Sequence, residues 1–393
     1  MSNILIVSEH ENELIQLSSL SFIAKELKKD GHDIKFIIFD IINGYHLIAP
    51  YGFKVFQSPI PFLFHERHIT PYSYCHLLTE HQYNIFDFLV YRIFAYQCYF
   101  RLFKPDIILF NNSFGAFIAS MNLNVKRIFL GDGCRIPPHK SPIPCYKYSA
   151  NNVSTMQLSY FEEQLIDCIN KIFAKISVSK INNISNLFNY CTKIISTFPE
   201  LDHCIRENED YWGTKPFPTN SNGSEIGWQL SSCNKKVFIY LDTNTDITHL
   251  LKAVRKTGYS IHVFVSEMKF RYGRYNKDNV HISSDFKGIY QRIVEADLLV
   301  CNGAHDMVCL ALQLGKPLLL LPEKFEQFIT ARNILKIGAG IMCNFNDTEA
   351  FVSNLDNALN ISEMKEKAAE FAFKYKDFEN EYFMRRFFEV INS

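Results

Sequence analysis

Short apolar runs alternate with helical patterns from the first residues of the chain. Ile4–Val7 is a continuous apolar run, as in a strand that a sheet buries on both faces. Apolar residues from Leu17 to Leu27 then keep helical spacing, Gly31 follows where a C-cap is expected, and a second apolar run covers 34–39. Strand, helix and strand in this order predict a right-handed βαβ unit and a parallel sheet.

The same alternation continues through two halves of the chain. Further strands are predicted over 105–110, 125–130, 236–241, 260–265, 280–282, 298–301 and 317–321. Helices are predicted over 85–103, 157–188, 247–257, 289–296, 307–314, 328–337 and 363–391. A run rich in Pro, Asn, Ser and Gly predicts a linker at 213–227 between domains 1–212 and 228–375, with 376–393 packing back across the junction. The predicted fold class is α/β, with two doubly wound domains facing a ligand-binding cleft.

Composition and charge narrow the class of protein. The 393 residues carry 41 Lys+Arg and 41 Asp+Glu, and this zero net charge argues against a nucleic-acid-binding protein. The apolar fraction of 47% predicts a globular protein. Eleven scattered cysteines without CxxC spacing predict no metal site and a reducing, cytoplasmic location, and no signal peptide is predicted at the start. The most apolar helix, 85–103, is interrupted by charges, so we expect it to be buried, with a membrane-surface face as the alternative.

The segment 299–340 carries the clearest chemical signal. It reads as a strand, a turn with Gly303, a helix, a second strand, and the pair Glu326-Gln327 opening another helix. A helix N-terminus at the end of a parallel strand offers free N–H groups and a positive dipole end, which suits a pyrophosphate. Glu326 and Gln327 offer acceptors and a donor for sugar hydroxyls. The pattern predicts nucleotide or phosphate binding, and the alternative is an ordinary half of a doubly wound sheet.

This segment resembles the donor-binding signature of the GT-B UDP-glycosyltransferases, glycosyltransferase family 1 and its MurG-like bacterial relatives. The residues that match the signature are Ala311, Leu312, Gly315, Pro317, Pro322, Gln327, Ala331 and Gly338 to Gly340, with Glu326 in place of an Asp. Segments 31–34, 130–138 and 198–213 also resemble members of this group. The resemblance implies a GT-B fold and transfer of a sugar, with inversion, from a UDP-sugar co-substrate to an acceptor hydroxyl. It implies no metal and no other cofactor.

On the donor side, the resemblance places the diphosphate at Asn302, Gly303, Ala304 and His305. Asn302 stands where the family has a His, and His305 could replace that lost donor. Asp306 stands at a family glycine, as an N-cap or as a carboxylate that would repel a pyrophosphate. Leu310 stands where a Glu usually holds the ribose. Glu326 and Gln327 would hold the donor sugar.

On the acceptor side, the catalytic positions of the family are altered. The general base of the family falls near Gln16 and its orienting Asp falls at Asn111, and neither amide can accept a proton usefully. His10 and Glu13, in the loop after the first strand, are the residues predicted to serve as a relocated base. The remaining predicted site residues are Asn111, Asn112 and Ser113 on the acceptor side and Thr243 in a loop between the domains.

Two other functions stay open. A nucleotide-sugar hydrolase or epimerase could use the same fold. A non-catalytic partner protein is favoured by the substitutions at Gln16, Asn111, Asn302 and Leu310. The alternatives for the acceptor are a lipid, a glycan and a small molecule. The aromatic C-terminal segment is expected to pack across the domain junction, with peripheral attachment at the inner face of a membrane as the alternative.

Overall fold

A computed structural model describes residues 1–9, 14–60, 70–149, 153–219, 228, 235–241, 246–265, 272–277, 279–286, 288–344 and 346–393. Within these residues the chain forms two parallel sheets, each flanked by helices on both faces. Each sheet has the apolar runs at its centre, where both faces are covered.

The first sheet contains β1 (Asn3–Ser8), β2 (Asp33–Ile38), β3 (Lys54–Gln57), β4 (Ile107–Asn111), β5 (Lys126–Gly131) and β6 (Thr192–Ile195). Its helices are α1 (Leu14–Lys29), α2 (Ile41–Ile48), α3 (Tyr74–Glu80), α4 (Phe86–Phe103), α5 (Phe114–Ala119) and α6 (Thr155–Lys175).

The second sheet contains β7 (Lys236–Leu241), β8 (Ser260–Val265), β9 (Val280–Ser283), β10 (Leu298–Cys301), β11 (Leu318–Leu320) and β12 (Gly340–Met342). The helices of this half are α7 (Thr248–Val254), α8 (Ile289–Glu295), α9 (His305–Gln313), α10 (Phe325–Ile337), α11 (Thr348–Asn360), α12 (Ser362–Lys374) and α13 (Asn380–Asn392).

The two sheets share one topology. In the described residues the first has the order β3-β2-β1-β4-β5-β6 and the second β12-β11-β10-β7-β8-β9, with every pair parallel. Both are the Rossmann order, in which the strand order switches sides of the sheet between the first and the fourth strand of the domain. The predicted pair of doubly wound domains is confirmed. The topological switch points lie between β1 and β4 in the first sheet and between β7 and β10 in the second.

The first strand shows why its apolar run is continuous. Ile4 and Ile6 belong to the core under α1 and α13, whereas Leu5 and Val7 belong to the core under α4 and α5. All four side chains are at most 1% exposed. A strand covered on one face only would need polar residues at alternate positions, so the sequence itself required two helical layers.

Residues 197–217 and the last helix connect the two domains. Phe198 and Phe217 pack in the core of the second domain with residues of α9, whereas Trp212 packs in the core of the first. Helix α13 returns to the first domain, where the rings of Phe383 and Trp212 lie 5.3 Å apart. The predicted linker 213–227 is described only to residue 219, and Lys215 and Phe217 within it are buried.

Two helix predictions were wrong in extent. The helix predicted over 157–188 ends at Lys175, because Ser177 adopts a left-handed φ of 58° that an α-helix cannot continue through. The helix predicted over 363–391 is two helices, α12 and α13, separated by residues 375–379. Among the described residues, no helix is both long and apolar enough to cross a membrane.

Candidate functional site

The turn between β10 and α9 is the predicted diphosphate loop. Asn302 accepts a hydrogen bond from the Ala304 N–H at 3.2 Å through its side-chain oxygen, which folds the turn on itself. Gly303 has a φ of +86°, and a Cβ there would lie 3.1 Å from the Gln327 carbonyl oxygen. Glycine is therefore required both by the backbone and by the close approach of α10. The structure brings this loop and Gln327 together, and α9 begins two residues earlier than predicted, at His305.

The predicted sugar-binding pair opens α10. The Gln327 side-chain oxygen accepts hydrogen bonds from the N–H groups of Glu323 and Lys324 at 2.9 and 3.0 Å. This oxygen therefore caps the helix to which it belongs. It is then occupied, and the predicted hydrogen bond from a sugar hydroxyl to the Gln327 oxygen loses its acceptor. Glu326 is half-buried, and its charge acts on Arg135 of the first domain. Glu326 thus faces the cleft between the domains.

His305 and Asp306, in the first turn of α9, are both engaged by the chain that joins the domains. His305 Nε2 lies 2.9 Å from the Thr197 hydroxyl, and the buried His305 Nδ1 has no hydrogen-bond partner among the described residues. Asp306 makes an ion pair with Lys215 at 3.1 Å, and their side chains are only 6% and 1% exposed. Asp306 is not the helix cap, because the N-cap position of α9 is Ala304 and Asp306 already lies inside the first turn. Its carboxylate pairs with a lysine instead.

On the other side of the cleft, the predicted acceptor residues lie at the carboxyl end of β4, which Asn111 closes. The Asn111 amide donates to the Ser8 hydroxyl at 2.9 Å and to the Gln16 side-chain oxygen at 3.4 Å. The Ser113 hydroxyl donates to the Val7 carbonyl at 3.0 Å. The two positions that correspond to the base and its orienting acid in the resembled family are thus adjacent, but both carry amides. Asn111 and Ser113 chiefly hold β1 and β4 together.

Asn112 completes the predicted acceptor group. It has a left-handed φ of 52°, and its side-chain oxygen is buried without a hydrogen-bond partner in the described part of the chain. Such an oxygen is costly to leave unpaired and is available to a ligand that donates a hydrogen bond. The other predicted residues of the cleft, His10, Glu13 and Thr243, lie outside the described residues.

Glu9, the last described residue before that loop, is buried and structural. Its carboxylate accepts a hydrogen bond from the Gly115 N–H at 2.8 Å, at the start of α5. Burial raises the pKa of Glu9, although the nearby Arg92 acts to lower it. The Arg92 guanidinium in turn lies 4.5 Å from the centre of the Tyr83 ring. Glu9 therefore stabilises the first domain from within.

The structure also assembles a polar cluster that the sequence reasoning missed. This interdomain cluster consists of Asp132, Arg135, His203, Lys215 and His305. The rings of His203 and His305 lie 4.8 Å apart, and the two histidines reach across the junction in opposite directions. His305 contacts Thr197 of the connecting segment, and His203 Nε2 lies 3.2 Å from the Thr330 hydroxyl of α10.

Charges within the interdomain cluster shift two titrations. Burial lowers the pKa of His203 to about 4, and His305 acts in the same direction, so the ring is neutral near pH 7. Burial acts to raise the pKa of Asp132, but His203, His305, Arg135 and Lys215 together lower it well below its usual range. Asp132 is therefore ionised at neutral pH. In the sequence, the segments 130–138 and 198–213 are marked only by their resemblance to other proteins. Only the fold brings their charged residues together.

Comparisons with known proteins identify the fold. The sequence matches no known family model and no curated protein. Solved structures match over the whole length. The spinosyn rhamnosyltransferase SpnG has a TM-score of 0.70 and 13% identity, covering 100% of this chain and 100% of that chain. The glycosyltransferase VinC in complex with dTDP has a TM-score of 0.69 and 13% identity, covering 99% and 98%. The calicheamicin glycosyltransferase CalG4 has a TM-score of 0.68 and 14% identity, covering 100% and 98%. The chain has the two-domain GT-B fold.

Proposed function

We propose that the protein is a glycosyltransferase that moves a sugar from a nucleoside diphosphate sugar to an acceptor hydroxyl. The observation that carries this proposal is the close approach of the Gly303 turn to Gln327, the neighbour of Glu326 in the first turn of α10. The turn leads into α9 at the topological switch point of the second Rossmann domain. Ligands of doubly wound sheets bind at such topological switch points, beyond the carboxyl ends of the strands. The match to glycosyltransferases over the whole chain supports the same reaction class.

The roles of the donor-side residues follow from the geometry of the turn. Backbone N–H groups of 303–305 and the positive end of α9 would receive the diphosphate and stabilise the charge that develops as it leaves. The Glu326 carboxylate would accept hydrogen bonds from sugar hydroxyls. We propose UDP as the nucleotide on the sequence resemblance. dTDP is the rival, because SpnG was solved with thymidine diphosphate and VinC with dTDP.

Other features of the reaction are carried over as part of the proposal. Transfer is metal-independent and inverting, and the acceptor is a lipid, a glycan or a small molecule. SpnG was also solved with spinosyn aglycone, which makes a small-molecule acceptor the first class to test. The protein acts in the cytoplasm, with peripheral contact at the inner face of the membrane as an added feature if the acceptor is a lipid.

A non-catalytic nucleotide-binding or partner role is the second candidate. The observation that favours it is the occupied first turn of α9, where His305 contacts Thr197 and Asp306 pairs with Lys215. A diphosphate arriving at this helix meets a carboxylate in place of a glycine. A protein that keeps the fold and has lost rapid turnover would tolerate that arrangement.

The experiment is a thermal-shift panel of UDP, GDP, dTDP and CMP, each with and without Mg²⁺. A ligand that binds only the folded protein at a hundredfold excess over its Kd stabilises it by about 2.7 kcal/mol. We expect a shift with UDP or dTDP, unchanged by Mg²⁺ and lost in G303V. The matched control is E323Q, an exposed carboxylate just before α10. The absence of a shift with every nucleotide would contradict donor binding and favour the partner role.

A further inference from the structure

We propose that Asp132 is the catalytic base, which removes the proton from the acceptor hydroxyl. This inference rests on the proposed glycosyl transfer. Asp132 directly follows β5, the neighbour of β4 in the first sheet. It therefore lies at the carboxyl end of the strands, as does Asn111, which occupies the position of the orienting acid in the resembled family. No sequence pattern assigned it a role.

The Asp132 carboxylate is held by one oxygen and leaves the other for a substrate. Oδ1 accepts hydrogen bonds from the N–H groups of Cys134 and Arg135 at 2.8 and 3.1 Å. Oδ2 accepts no hydrogen bond from any residue that the structure describes. The residue is partly exposed to solvent. A carboxylate with one fixed and one accessible oxygen is the arrangement that a positioned base requires.

The turn that carries Asp132 is fixed by its neighbours. A Cβ at Gly133 would lie 2.9 Å from the His203 backbone nitrogen, so the turn packs directly against the 202–203 segment. The Arg206 guanidinium donates to the Gly133 carbonyl at 2.9 Å. Such contacts hold the carboxylate in one place while substrates exchange, which is what proton transfer over hydrogen-bond distance needs.

Asp132 lies among charged and polar residues that adjoin the predicted donor site. It interacts with His203, with His305 at the start of α9, with Arg135 and with Lys215. These groups keep the carboxylate ionised before substrates arrive and also weaken it as a base. A donor diphosphate at the first turn of α9 would also bring negative charge next to Arg135 and Lys215. Its field would offset theirs and strengthen the base only when the donor is in place.

The other carboxylate and the amides near the carboxyl ends of β1 and β4 fit the role of catalytic base less well. Glu9 is buried and caps α5. Gln16 and Asn111 hydrogen bond to one another and are amides. In the proposed step, the acceptor O–H proton moves to Asp132 Oδ2 and the acceptor oxygen bonds to the anomeric carbon. The bond from that carbon to the phosphate oxygen breaks, and its electron pair leaves with the nucleoside diphosphate.

The test compares D132N with H10N and E13Q, the two bases that the sequence predicts. UDP-glucose and dTDP-glucose serve as donors, and release of UDP or dTDP is measured with water as acceptor and again with sodium azide. Azide attacks without losing a proton, so it bypasses a missing base. We expect D132N to lower release to water by about 10²- to 10⁴-fold and azide to restore it. D87N, an exposed aspartate on α4, serves as the matched control.

Each outcome decides the assignment. D132N within about threefold of the parent rate overturns it, and an azide-restored loss in H10N or E13Q then identifies the base. A D132N loss that azide does not restore, or that accompanies an equal loss of nucleotide affinity in the thermal-shift assay, also overturns it. If the parent protein releases nucleotide from neither donor, glycosyl transfer itself fails and the assignment falls with it. Azide rescue at unchanged nucleotide affinity supports Asp132 as the base.

Discussion

The buried ion pair between Lys215 and Asp306 should be among the costliest polar contacts of this protein to break. The two side chains are 1% and 6% exposed, and the ammonium and carboxylate are 3.1 Å apart. Removing one partner of such a pair leaves an uncompensated buried charge and typically costs about 3–5 kcal/mol. K215M keeps most of the side-chain volume and removes only the charge.

The position of the pair at the start of α9 makes the two single variants unequal. In K215M the remaining carboxylate lies in the first turn of a helix, where the dipole offsets up to about 2 kcal/mol. In D306N the remaining ammonium faces the same positive helix end and gains nothing. We therefore expect a loss of about 2–3 kcal/mol for K215M and about 3–5 kcal/mol for D306N. The double variant should be less unstable than the sum of the two, by about 2 kcal/mol.

The assay is urea unfolding followed by tryptophan fluorescence. The chain has two tryptophans, which report on different domains. Trp212 is 4% exposed in the core of the first domain, and Trp228 stacks at 4.4 Å on His262 of the second. Carrying each change in W212F and W228F backgrounds therefore gives the free energy of unfolding of each domain separately.

The reasoning fails if K215M costs less than about 1 kcal/mol in both backgrounds, because a buried unpaired carboxylate cannot be that cheap. It also fails if the single losses add without coupling, which would mean that the two charges do not interact. Equal losses in K215M and D306N would remove the helix dipole from the explanation and leave the ion pair in place.

Three further predictions concern single residues. The folded pKa of His203, about 4 against 6.5 when unfolded, means that only the unfolded chain takes up this proton as pH falls through that window. The free energy of unfolding of the wild type should thus fall by on the order of 3 kcal/mol between pH 6.5 and pH 4. In H203Q the fall, measured by urea titration at these two pH values, should be smaller by that amount. G303A should lower Tm more than G315A, because both have positive φ but a Cβ meets Gln327 at 3.1 Å in the first and Ala372 at 3.6 Å in the second; equal shifts would contradict this. E162A should cost about 3 kcal/mol in urea unfolding and E162Q less, since this buried carboxylate accepts two backbone N–H groups at 2.9 and 3.1 Å; similar losses in both would refute that role.

Much of the fold was predictable because its signals are local. The strand at 298–301 was placed within its true bounds, and the helix at 289–296 within one residue, because a continuous apolar run and a helical period can each be seen in a short window. The short edge strands β3, β6 and β12 were not predicted. Each has only two apolar residues, too few to form a continuous apolar run, and its formation depends on a neighbouring strand.

The candidate site was predictable only in part. The Gly303 turn and Glu326 belong to one stretch of 42 residues in 299–340, so their order alone indicated a shared ligand. The role of Gln327 was harder to foresee. Its side-chain oxygen could bind a sugar or cap its own helix, and only the helix start at Phe325 decided for the cap.

The sequence by itself determined that this protein has two parallel α/β domains and a phosphate-suited turn at the second, because strand burial, helix period and helix start are properties of neighbouring residues. The tertiary structure alone decided which charges meet between those domains. Asp132, His203, Lys215 and His305 come from three segments, lie up to 173 residues apart in the sequence, and are related by no spacing rule. Their proximity depends on how the connecting segment 197–217 packs on α9 and α10 while α13 returns to the first sheet. Burial and mutual charge then shift the pKa values of Asp132 and His203, and neither cause exists before the domains have packed together.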